Sequence, residues 1–300
     1  VDLVDGGSRF LVRGPDGIRE RPRPPARFFR GQVAGEPDSL VSLNVLGGQV
    51  AGFIRIGEKE YTFAPRSFAG RPLEEGAGEA PDLVEVREDG AETGPAGSCD
   101  GHVISPDQQG PAAAGDGLFH GTLAGEAGGI DGDTLLLAHV AVEGTTEWVA
   151  KHGGVAGAEA YTLNLRAQVS AIYEADLKVQ IQVPWMLMHA AEPDGYTGDS
   201  NSTATMLDEM VSRWQGEPAL QQVFRTVAHV FSTYPSGGAG RAYVNVLCDG
   251  VPATSRAYDL GVSLLQGNGG SWERKLVAHE LGHNFSSPHS HCYDPELDQC

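Results

Sequence analysis

The sequence predicts an α/β layered fold preceded by a β-rich region. Three observations carry this. From residue 134 onward, apolar runs alternate with segments of helical spacing in the order β-α-β-α-β-β-α. The first part of the chain instead shows short apolar runs cut by turn signals. Between them, residues 68–133 are rich in Gly, Ala, Pro, Asp and Glu and poor in long apolar side chains. Such a stretch buries little surface and is expected to be loop or linker. The 300 residues suit about two domains. We divide them as 1–132, with a linker over about 68–132, and 133–300.

In the first region, "RFFRGQVAGEPDSLVSLNVLGGQVAGFIRIGEKEYTFAPRS" breaks at Gly35 to Asp38, at Gly47-Gly48 and at Gly57-Glu58, which predicts strands joined by tight turns. The Pro-rich basic run "RERPRPPAR" (19–27) is expected to be a solvated extended segment. In the second region, "TLLLAHVAV" (134–142) is a continuous apolar run expected as a buried strand. Residues 156–176 have helical spacing, with Leu165, Val169, Ile172 and Tyr173 on one face. "LKVQIQVPWMLMH" (177–189) alternates as a strand does, and 201–215 are helical with Ser202 or Thr203 as cap. "AHVFST" and "RAYVNVLCD" (241–249) are strand candidates. "SWERKLVAHELGHNF" (271–285) is a helix with Ser271 as expected N-cap and Leu276, Val277, Leu281 and Phe285 on its buried side.

Composition excludes several classes of function. A formal net charge of −19 argues against a nucleic-acid partner, because phosphate binding needs a basic face. No run of eighteen or more apolar residues is present, so no membrane span is expected in this segment. The chain begins at Val1 without a signal peptide and is expected to be a mature chain or an internal fragment. Its four cysteines, Cys99, Cys248, Cys292 and Cys300, form no C-x-x-C pair. Cys292 and Cys300 are close enough to clip one loop, which would place the chain in an oxidising compartment.

The chemistry concentrates in "VAHELGHNFSSPHSHC". His279, Glu280 and His283 form H-E-x-x-H, and on a helix residues four apart share a face. Two neutral imidazoles so placed can bind one zinc ion. Glu280, beside a ligand, can take a proton from water that the metal activates. His289, six residues after His283, gives the chain room to leave the helix and return a third ligand. His291 competes for that role through the pattern H-x-H. His139, His189 and His229 fall in or beside strands and are expected to be structural. Two glycosylation-type sequons begin at Asn201 and Asn284; the second lies within the zinc segment, which shows how weak that pattern is.

This stretch resembles the metzincin zinc-binding pattern H-E-x-x-H-x-x-G-x-x-H. It is most similar to the adamalysin/reprolysin family, on the branch of tumour-necrosis-factor-converting enzyme and secreted bacterial members, through "HELGHNF" and "SPH". "QVSAIYEADLKVQIQV" resembles a helix-strand pair of the bacterial members, and "GQVAGEPDS" opens a segment that looks like the family propeptide. The resemblance implies a metzincin-like catalytic domain with a twisted mixed sheet and a long active-site helix, preceded by a β-rich prodomain. It implies a secreted zinc metalloendopeptidase zymogen acting on protein or peptide substrates, with His279, His283 and His289 as zinc ligands and Glu280 as general base. The competing expectation is an inactive, zinc-stabilised binding protein of the same fold.

Two departures stand out. Ser286 replaces the family glycine after the second histidine, where a non-glycine residue costs about 1–2 kcal/mol. The family's methionine turn follows the third histidine, whereas Met186, Met188, Met206 and Met210 all precede His289. The chain is therefore expected to be C-terminally truncated. Cys248 would then pair beyond residue 300 and Cys292 with Cys300, although Cys248 with either of the other two remains open. The resemblance also makes Cys99 a candidate latency ligand to the zinc, its alternative being an ordinary loop cysteine.

Overall fold

The computed structural model describes residues 2–65, 68, 84–89, 134–197, 202–234, 238–247, 258–287 and 289. Two sheets and a pair of helices between them organise these residues. The first sheet draws on both ends of the chain. Its strands are β1 (Arg9–Gly14), β2 (Gly17–Arg21), β8 (Leu136–Gly144), β9 (Val179–Gln182), β10 (Trp185–His189), β11 (Val227–Thr233), β12 (Ala239–Ala242) and β13 (Leu260–Leu265). They run in the order β12-β13-β11-β8-β10-β1-β2, with β9 beside the first half of β8. The inner pairings are parallel, while β12 and β2 are antiparallel edges. The second sheet is an antiparallel meander of β3 (Ala26–Val33), β4 (Glu36–Leu46), β5 (Gln49–Ile56), β6 (Lys59–Pro65) and β7 (Val84–Asp89).

The helices are α1 (Thr146–Lys151), α2 (Val155–Leu177), α3 (Thr203–Gly216), the short α4 (Pro218–Gln221) and α5 (Ser271–Asn284). Adjacent residues of β11 show how the layers form. Phe231 packs with Leu163, Val277 and Leu281 on the α2/α5 side. Val230 packs with Met206, Met210 and Trp214 on the α3 side. The second sheet lies on the outer side of α2: Asn44 donates to Asn164 at 2.9 Å, and Arg30 donates to the Ala167 carbonyl at 2.7 Å.

The turns at Gly35, Gly47-Gly48 and Gly57 fall where the sequence predicts them, and each of these glycines has positive φ. Other expectations need correction. β1 and β2 belong to the sheet of the second region, so the sheets do not divide the chain where the composition does. β7 lies inside the stretch expected as linker. Its remaining residues, apart from Phe68, lie outside the described ones.

The alternating segment 177–189 is two strands, because Pro184 supplies no backbone donor where β9 gives way to β10. Leu135, Leu136 and Leu137 are exposed; β11 joins β8 only from Val140 onward, so the first leucines lack one flanking strand. One apolar face was expected on α2, but its residues 161–171 are buried all round, since it is covered by a sheet on each side. The strand expected over 241–249 is β12, shorter and beginning earlier. α1 and the buried strand β13 have no counterpart in the sequence reading. The run 19–27 is partly pinned: Arg21 pairs with Glu159, and Arg23 donates to the Val4 and Asp5 carbonyls.

Candidate metal centre

α5 carries the candidate ligands, and both its ends are fastened. Its apolar residues Leu276, Val277 and Leu281 are buried beneath the first sheet, and Phe285 sits edge-on to Tyr173 at 5.4 Å between ring centroids. The N-cap is Gly270 and not Ser271, and it supplies no side-chain acceptor. Three positions inside the helix, Glu273 instead ties down the loop that enters it. Its carboxylate accepts from the backbone N–H groups of Gly267 (2.6 Å), Asn268 (3.2 Å) and Gly269 (3.4 Å), and from the Tyr161 hydroxyl. Burial pushes the Glu273 carboxyl up even against these bonds.

The C-terminal end is closed by the segment leaving β12. Asn245 and Val246 donate their N–H groups to the carbonyls of His283 and Asn284, at 3.1 and 3.2 Å. Asn284, fully buried, donates through Nδ2 to the carbonyls of Tyr243 (3.0 Å) and Leu260 (3.1 Å). Its sequon is therefore closed to modification in the folded chain.

The helix ends in a Schellman turn: Ser286 N–H bonds the His283 carbonyl at 2.9 Å, and Ser287 N–H the Gly282 carbonyl at 2.9 Å. This turn needs a left-handed residue, and Ser286 takes φ 79°. Its hydroxyl donates to Asn245 Oδ1 at 2.7 Å, and Asn245 is itself left-handed at φ 61°. The serine thus adopts the conformation for which the family pattern has glycine, and it gains a hydrogen bond that glycine could not make.

The turn brings His289 back over the helix. Ring nitrogens of His279, His283 and His289 all lie within 4.8 Å of one another. Nε2 of His279 and Nε2 of His283 are 3.0 Å apart. Two nitrogens bound to one tetrahedral zinc ion would be separated by roughly 3.3 Å, so small ring rotations suffice for a shared ion. His283 Nδ1 lies 2.6 Å from the Ser287 carbonyl, a bond that requires the proton on Nδ1 and leaves the Nε2 lone pair facing its neighbours. Burial holds the His279 imidazole down at about 4, helped by His283 and His289; burial also lowers His283. All three observations suit neutral imidazoles converging on a cation.

Glu280 sits one residue along, buried against β12. A Cβ built on Gly240 would lie 2.4 Å from its Cγ and Oε1. Oε2 has no hydrogen-bond partner among the described residues. Burial raises this carboxyl to about 8, with the nearby Arg241 charge acting in the opposite direction. A carboxyl with an unpartnered buried oxygen, one residue from His279 on the same helix, is equipped to take up and release a proton.

The structure therefore brings together His279, His283 and His289, with Glu280 on the same helix and buried against β12. Cys99, Cys248, Cys292, Cys300, His291 and Asn201 lie outside the described residues. His189 and His229 are buried in the sheet, within hydrogen-bond distance of Glu143 and Ser263, and His139 packs on Phe224. The sequence reading missed Gly240, Asn245 and Glu273, which shape the site without contributing ligands. Only Glu273 left a sequence signal, an acidic residue in the first turn of a helix. Against known proteins, a family model described as metallo-peptidase family M12 matches residues 137–300. No curated protein sequence matches the chain.

Proposed function

Because the chain belongs to metallopeptidase family M12, we propose that it is a zinc-dependent endopeptidase with its centre on α5. The observation that carries this is the convergence of three imidazoles on the helix that also bears the buried Glu280 carboxyl. His279, His283 and His289 hold the ion, and the Nδ1–H bond from His283 to Ser287 fixes that ring. A bound zinc ion supplies Lewis-acid chemistry that makes water nucleophilic near neutral pH. Glu280 takes the proton from the attacking water and delivers it to the leaving amine. β12 ends the first sheet, so its outer edge is free among the described residues to pair with an extended peptide beside Glu280.

Secretion, a zymogen form, and a place near the secreted bacterial members are part of the same proposal. They are supported by "GQVAGEPDS", "HELGHNF" and "SPH". Latency through Cys99 rests on the sequence alone. The alternative, an inactive zinc-stabilised binding protein, has no observation in its favour, since Ser286 keeps the turn geometry. The test is hydrolysis of an unfolded protein with and without a zinc chelator, together with Glu280→Gln. Cleavage should depend on zinc. Glu280→Gln should lower it by about 10²–10⁴-fold while zinc stays bound. Hydrolysis that survives this substitution would rule out Glu280 as the base.

A further inference from the structure

The family match begins at residue 137, yet residues far before it are built into the support of the candidate site. β1 pairs in parallel with β10 from Arg9↔Trp185 to Arg13↔His189. Phe10 and Val12 are buried, and so are Leu3 and Val4 just before them. Without β1, strand β10 would present an unpaired edge and an uncovered apolar margin.

The second hold is on α5 itself. Arg274, 1% exposed, donates to Glu60 Oε2 at 2.9 Å and to Thr62 Oγ1 at 3.4 Å. Its guanidinium lies 4.2 Å from the centre of the Phe53 ring. These three residues belong to the second sheet; from the catalytic half it also takes Gln168 Oε1 at 2.8 Å. Lys275 reaches Glu60 as well, at 3.2 Å.

The direction of this grip decides what it does. At 3.6 residues per turn, Arg274 lies about 140° around the helix from His279 and about 180° from His283. The buried grip on Arg274 therefore holds the face of α5 turned away from the metal ligands, while the exposed Lys275, one turn before His279, reaches the same Glu60 at the rim. The second sheet braces the helix through Arg274.

We propose that the N-terminal part of the chain, β1 to β7, is a permanent structural component of the peptidase. It stays bound to the catalytic half after any cleavage between residues 90 and 133 and keeps α5 in place. The partner of the β10 edge and of the outer face of α2 and α5 is thus this chain's own first segment. The inference rests on reading the chain as a peptidase made as a precursor, but its test needs no peptidase assay.

A recognition sequence for a site-specific protease is inserted within residues 90–133 of the full chain, which is then cut and passed over a size-exclusion column without denaturant. The two pieces should elute together at micromolar concentration and unfold in a single transition. Glu60→Gln combined with Phe53→Leu, in the same cut chain, should raise the fraction of free N-terminal piece at least several-fold on dilution. Separation of the unsubstituted pieces on the column overturns the proposal, as does a double variant that releases no more than the parent. If the pieces stay together and no hydrolysis is found, the structural role stands and the enzymatic reading falls.

Discussion

Gly240→Ala tests whether β12 positions Glu280, the base we propose. The added Cβ would lie 2.4 Å from Cγ and Oε1 of Glu280 and 2.5 Å from its Cδ. Ordinary carbon contacts begin near 3.5 Å, so the carboxylate must retreat by about 1 Å. The overlapping atoms are the outer part of a flexible side chain, so the cost to folding should sit at the low end of the range for overpacking, about 1 kcal/mol. The cost to catalysis is larger, because displacing a reacting group by about 1 Å can lower the rate about 10²-fold. The assay is kcat and KM on a peptide substrate, with zinc content and melting temperature measured on the same preparation. We expect kcat to fall about 100-fold with zinc and fold retained. A kcat within about threefold of the parent would refute the reasoning, because Glu280 would then not depend on the space at Gly240. Loss of zinc together with activity would also refute it, since the damage would then lie at the imidazoles.

Three further predictions follow from the same geometry. Ser286→Gly relieves a left-handed residue by about 1 kcal/mol and removes the bond to Asn245, worth about the same, so thermal unfolding should move little and zinc should be retained. Ser286→Val, which keeps the strain and loses the bond, should destabilise by about 1 kcal/mol; equal melting temperatures for the two variants would show that the turn is not under this constraint. Glu273→Ala leaves the N–H groups of Gly267 and Asn268 without their acceptor and should cost about 2–3 kcal/mol in denaturant unfolding, whereas a loss below about 0.5 kcal/mol would mean that water replaces the carboxylate freely.

The third concerns pH. Burial between Trp148 and Tyr161 lowers His152 to about 3, so the folded chain binds its proton less readily than the unfolded chain does. The sign follows: this contribution is complete above about pH 6.5 and is lost as pH falls towards 3, by up to about 1.4 kcal/mol per unit. His152→Phe should flatten the stability profile between pH 6.5 and 4, and an unchanged slope would show that His152 is solvated.

The strands of the second sheet were legible because their turns are made by glycines, whose need for positive φ is written in the residue type. The ligand set was legible because four-residue spacing on a helix is local geometry, and the brevity of the return to His289 leaves few paths. β13 was not read, although "LGVSLL" is apolar but for Ser263. The burial of α2 was misread as well. Asn164 and Gln168, one turn apart, imply a solvated face that the second sheet makes interior, with Asn44 as partner for Asn164; Arg166 and Ser170, on the opposite side, meet Phe231 and Ile181 of the first sheet.

By itself, then, the sequence determined the metal-ligand pattern, the helix that bears it and the hairpin turns of the first part of the chain. Each of these depends on residues within about ten positions of one another, where spacing and backbone preference act directly. The tertiary structure alone decided that β1 enters the first sheet, that Arg274 is held by Phe53, Glu60 and Thr62, and that Gly240 lies on Glu280. Those contacts join residues separated by up to about two hundred positions, and they form because edge strands, buried charges and buried carboxylates must find partners or cover from wherever the fold places them.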